Sequence, residues 1–233
     1  MSRNQPPVQQ APPVQRMRIR YAKRGRLRFT SHRDFSRAFE RAVFRARLPM
    51  SYSSGFNPHP RISYAGAAPT GSASEAEYLE IALAEEVTPE WIEEQLRGTM
   101  PDGLDILEVV TSPGGSLADR LTGSRWRIET DAEPEAVAAA VEQFLEQEEV
   151  LVERMTKKGL REFDCRSAVI TLEADGSALD LVLRHVEPAV RPDDVVTGLR
   201  ALTGLEPGPA PLLTRLTQGT LDAATGEISD PLA

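Results

Sequence analysis

Residues 17–23, MRIRYAK, alternate Met17, Ile19 and Tyr21 with Arg18, Arg20 and Ala22, the two-residue period of a half-buried strand with a basic outer face. Gly25 breaks the alternation, and LRF (27–29) continues it as a short strand or bulge. From Ser31 the period lengthens. Phe35, Phe39, Val43 and Ala46 recur at three- and four-residue spacing, so the pattern predicts a helix with one buried stripe. Ser31 and Asp34 open that helix as a capping-box-like pair, and Pro49 ends it. RISYAG (61–66) and AEYLEIALAE (76–85) predict two more strands. Thr88 and Pro89 start a second helix carrying Trp91, Ile92 and Leu96, and GLDILEVV (103–110) closes the unit as a strand.

After SPGGS (112–116) the pattern restarts. RWRIET (125–130) reads as a strand and PEAVAAAVEQFLEQ (134–147) as a helix. LVERM (151–155) and LREFDC (160–165) flank a turn at Lys157-Lys158-Gly159, and AVITLEA (168–174) and ALDLVLRHV (178–186) flank one at Asp175-Gly176. A helix after Pro192 and the strand LLTRLT (212–217) follow. The expected class is α+β: two tandem ferredoxin-like βαββαβ units, with antiparallel sheets and helices on one face. Their expected bounds are 17–111 and 124–218, joined by a linker over 112–123. A disordered Pro/Gln-rich leader over 1–16 and a loose tail over 219–233 complete the division.

Charge changes this picture. The chain of 233 residues carries a net charge of −8, unevenly spread. Residues 1–64 hold 14 of the 27 Lys and Arg but only Asp34 and Glu40 among the 35 acids. The first part is therefore strongly basic and the rest strongly acidic, which points to a polyanion-facing end or to mutual neutralisation between the parts. Cys165 is the single cysteine, so an intramolecular disulfide and a self-contained cysteine zinc or iron–sulfur site are excluded. A reducing cytoplasm is the expected location, with no membrane span and no cofactor.

Within the first predicted helix Arg33, Arg37, Arg41 and Arg45 stand four apart. Each step advances about 40° around the axis, which makes a slanting stripe of like charges that repel one another. A guanidinium fork suits phosphate, so the stripe fits a nucleic-acid backbone; docking on an acidic protein is the alternative. Arg18, Arg20 and Arg61 extend the basic surface. The stretch SSGFNPHPRIS (53–63) reads as a rigid loop with Phe56 plugged into the core and Asn57 and His59 facing outward, a nest for phosphate or a splayed base. His32 and His59, assisted by Tyr52 or Ser31, could instead act as acid and base on a ribose hydroxyl, making a metal-independent endoribonuclease. No metal site is expected.

The run F-T-S-H-R-D (29–34), E-R-A (40–42), R-A (45–46), L-P (48–49), G-F-N-P-H-P (55–60), with Gly71, Ser74, Glu77 and Tyr78, resembles the radical-SAM-linked bacterial family, a domain of unknown function. The resemblance implies a partner in a radical-SAM enzyme, because relatives are fused to or encoded beside a B12-binding radical-SAM protein, or in an RNase E/G-type ribonuclease, whose gene lies near actinobacterial relatives. The chain itself lacks the Cys-x-x-x-Cys-x-x-Cys cluster motif of radical-SAM enzymes. The expected function is that of an RNA-binding accessory to an RNA-modifying enzyme, acting on tRNA or rRNA, or to an RNA-processing enzyme.

Overall fold

The computed structural model describes residues 9–156 and 159–233. The turn expected at Lys157-Lys158 and the first half of the expected leader lie outside these residues. The fold is mixed α+β, with mostly antiparallel strands and four α-helices among the described residues. It divides into two compact units. The first holds the described residues up to Gly71 together with Ala76–Ala118, and the second holds Ser72–Glu75 with Asp119–Pro231.

In the first unit β1 (Gln15–Lys23), α1 (His32–Arg45), β2 (Ile62–Ala65), β3 (Ala73–Leu83), α2 (Pro89–Leu96) and β4 (Ile106–Thr111) follow in that order. β4 pairs antiparallel with β1, β1 neighbours β3, and β2 pairs antiparallel with β3. Phe35, Phe39 and Val43 bury one face of α1. Phe35 sits at the centre of this packing, stacked on Tyr21 at 4.2 Å between centroids and edge-on to Tyr64 at 5.9 Å.

The ends of α1 explain its length. Ser31 Oγ accepts the Asp34 N–H at 3.2 Å and so satisfies one of the donors a helix N-terminus leaves unpaired. At the other end Leu48 N–H reaches Val43 O (3.2 Å) and Arg47 N–H reaches Phe44 O (3.1 Å), a Schellman closure. Its left-handed position is filled by Arg47, at φ 53°, where glycine is the usual occupant.

Several expectations need correction. Residues 25–29 form a 3₁₀ turn rather than a strand, because Leu27 N–H turns back onto Arg24 O (3.0 Å) instead of pairing laterally. The expected bounds of the leader overlap β1, which takes up Gln15 and Arg16. The tail is not loose at its start: β10 continues to Leu221 and pairs with β11 (Ile228–Ser229). Gly219 is required there, because a Cβ would come 1.9 Å from Ser229 O.

The second unit contains β5 (Gly123–Glu129), α3 (Pro134–Leu145), the hairpin β6 (Leu151–Thr156) and β7 (Gly159–Asp164), then β8 (Val169–Asp175), β9 (Ala178–Arg184), α4 (Pro192–Thr203), β10 (Leu212–Leu221) and β11. Its strands run β10-β5-β9-β8, all antiparallel, with β6-β7 as a separate ladder. Residues 73 and 74 of β3 belong to this unit and pair parallel with Thr214 and Arg215.

Candidate nucleic-acid interface

The stripe on α1 is built as its spacing implies. The residues that bury the helix and those that carry charge occupy separate faces, so Arg33, Arg37, Arg41 and Arg45 are all exposed. Among the described residues the side chains of Arg33, Arg37 and Arg41 have no hydrogen-bond or ion-pair partner. Arg45 donates to the Thr99 carbonyl. Four unneutralised guanidinium groups on one helix cost roughly 0.2–0.5 kcal/mol for each adjacent pair, which a bound polyanion would reverse.

Phe44 belongs to this face. It is 80 % exposed and shares an open surface patch of α1 with Arg37, Glu40, Arg41 and Arg45. The sequence did contain the signal: Phe44 lies nine residues after Phe35, half a revolution round the helix from the buried stripe. Arg47, exposed just beyond the helix, also escaped the four-residue pattern.

Other expected contacts are placed differently. Arg18 is 0 % exposed; its Nε meets Glu80 Oε2 at 3.2 Å and its Nη2 donates to the carbonyls of Gly114 (2.8 Å) and Gly115 (3.0 Å). Arg20 pairs with Glu108 at 3.1 Å. β1 thus has no free basic face, and Arg18 is unavailable to a ligand. The alternation failed because it assumes one solvated side, whereas the 112–115 segment covers this one. Glu77 is buried as well and accepts the Ala68 N–H at 3.1 Å.

The loop holds Asn57 and His59 exposed, as expected, but Phe56 is 64 % exposed and plugs nothing. The loop needs no such anchor. Ser53 and His59 clasp its base, with Ser53 N–H donating to His59 O (2.9 Å) and His59 N–H to Ser53 Oγ (3.1 Å). Arg61 Nε donates to Tyr52 O at 3.0 Å, and Tyr52 is partly exposed.

His32 and His59 do not converge. The His32 ring meets Tyr64 edge-on at 4.8 Å, and its Nδ1 lies 3.1 Å from Ser36 Oγ. His59 lies five residues before Tyr64 and outside the strand Ile62–Ala65 that carries Tyr64. His59 is not among the residues that line the small space around His32. The family-like residues Ser31, His32, Glu77 and Tyr78 do gather, with buried Lys23, around a space of about 20 Å³, room for a water and not for a substrate.

Cys165 is buried, and burial, helped by nearby Asp164 and Asp194, pushes its thiol up to about 12. Among the described residues no cluster of His, Cys, Asp and Glu could hold a metal ion, and no helix is long and apolar enough to cross a membrane. No curated protein matches the chain. Residues 16–192 match the family described as an uncharacterized protein conserved in bacteria (DUF2344), and with well over half its length matched the chain belongs to that family.

Proposed function

We propose that the chain is an RNA-binding accessory protein serving an RNA-modifying enzyme, of the radical-SAM type, or an RNA-processing enzyme. The observation that carries this reading is the α1 face, where Arg33, Arg37 and Arg41 are exposed and none has an ion-pair partner among the described residues. Unpaired guanidinium groups along one helix suit consecutive phosphates better than they suit the protein's own packing. The strand orders, β4-β1-β3-β2 and β10-β5-β9-β8, support reading the units as two ferredoxin-like modules, the second with an inserted hairpin. The link to a radical-SAM enzyme rests on the sequence resemblance alone.

The test is binding of cellular RNA across a salt series, in EDTA, for wild type and Arg37→Glu/Arg41→Glu. Affinity that falls steeply with salt and collapses in the variant is the expected result. No measurable binding by wild type would overturn the proposal in favour of docking on an acidic protein.

A further inference from the structure

We infer that the end of the first unit formed by the last turn of α1 and the 51–61 loop binds single-stranded RNA by stacking unpaired bases on Phe44 and Phe56. This deepens the RNA-binding reading and rests on it.

Aromatic side chains contribute most when buried, yet Phe44 is 80 % exposed, Phe56 64 % and Tyr52 39 %. They belong to one end of the unit. Met50 bridges Leu83 at the end of β3, Ser51 N–H reaches Ala82 O (2.8 Å), and Arg61 N–H reaches Ser51 O (2.8 Å). The 53–60 loop therefore leaves the edge of β3 beside Ala82, next to its last residue Leu83, and the Schellman closure leads from Phe44 to Met50 in six residues.

Phe44 and Tyr52 have cations beside them. Arg41 and Arg45 flank Phe44 on the helix, and Arg61 is tied to the Tyr52 carbonyl at the base of the loop. Guanidinium groups on phosphates with an aromatic ring free between them are the two components of a single-strand site: an electrostatic track and a platform for a π-face. A duplex would occupy the arginines and leave the rings idle, because its bases already stack on one another. An acidic protein would satisfy the charges without requiring a flat exposed ring.

The experiment compares a fluorescent 12-nucleotide unstructured RNA with the corresponding RNA duplex, by anisotropy in EDTA. The proteins are wild type, Phe44→Ala, Phe44→Trp, Phe56→Ala and Arg37→Glu/Arg41→Glu. Expected is tighter binding of the single strand, weakened about tenfold by Phe44→Ala and by Phe56→Ala, with duplex binding unchanged. Phe44→Trp keeps the affinity, and its added emission is quenched by the single strand. If Phe44→Ala and Phe56→Ala bind like wild type while the arginine variant loses binding, base stacking is wrong and the phosphate reading stands. Duplex bound as tightly as single strand also overturns the inference. No binding of either RNA by wild type overturns both readings.

Discussion

The backbone N–H of Arg47 closes on the carbonyl of Phe44 at 3.1 Å, and it does so from a left-handed conformation that costs an arginine roughly 1–2 kcal/mol. Glycine would hold the same closure without that cost. Arg47→Gly is therefore expected to stabilise the protein by about 0.5–1 kcal/mol, after allowance for the freer unfolded chain. The same change removes a cation beside the proposed RNA track and should weaken RNA binding. Urea melts and RNA titrations check the two halves; a destabilised variant would mean that the Arg47 side chain holds the turn.

Glu80 gathers Arg16 (3.0 Å), Arg18 (3.2 Å) and the Ser112 hydroxyl (2.8 Å). Removing it strands the buried Arg18 guanidinium, and breaking such a pair costs about 3–5 kcal/mol. Glu80→Ala should show a loss near the lower figure, since Gly114 and Gly115 still accept from Arg18. Chemical denaturation measures this. A loss below about 1 kcal/mol would show that Arg18 readily finds water.

Gly198 faces Cys165 within the second unit. A Cβ there would meet Cys165 Sγ at 2.9 Å and Val150 Cγ1 at 3.0 Å. Gly198→Ala should cost about 1–3 kcal/mol through overpacking. Cys165→Ala in the same chain should recover part of that loss, so the double variant is more stable than the sum of the singles. Strict additivity in denaturant melts would place the clash elsewhere.

Trp126 Nε1 donates to Ser124 Oγ at 2.8 Å, while the His185 ring lies 3.0 Å from that hydroxyl and 2.7 Å from Leu121 O. These contacts fit a neutral imidazole that donates from Nδ1 and accepts at Nε2. Burial, then nearby Arg215, hold its pKa below the ordinary 6.5, against the pull of the Leu121 carbonyl. The neutral ring's contribution is complete above 6.5 and is lost as pH falls through that value towards the folded-state pKa. Wild type should lose stability between pH 8 and pH 5.5, and His185→Gln should lose less. Equal losses would remove His185 from the acid response.

Periodicity made the helices and most strands legible. Phe35, Phe39 and Val43 gave α1, and Asp175-Gly176 gave the β8–β9 hairpin. What it missed depended on partners distant in sequence. Arg18 looks solvated until Glu80, 62 residues away, and the Gly114 carbonyl are brought to it. Phe56 looks like a core residue because nothing local reveals that Ser53 and His59 already close the loop. The 25–29 turn has too few residues to separate a period of two from one of three. Phe44 was readable from its angle on the helix; Arg47 was hidden because its role depends on backbone conformation.

The two faces of α1 have no residue in common. Phe35, Phe39 and Val43 anchor the helix, while Arg33, Arg37, Arg41 and Phe44 add nothing to that anchoring. Selection can therefore revise the outward face one residue at a time with little risk to folding. Related chains could keep the same inner helix while changing which polymer, or which partner, they meet.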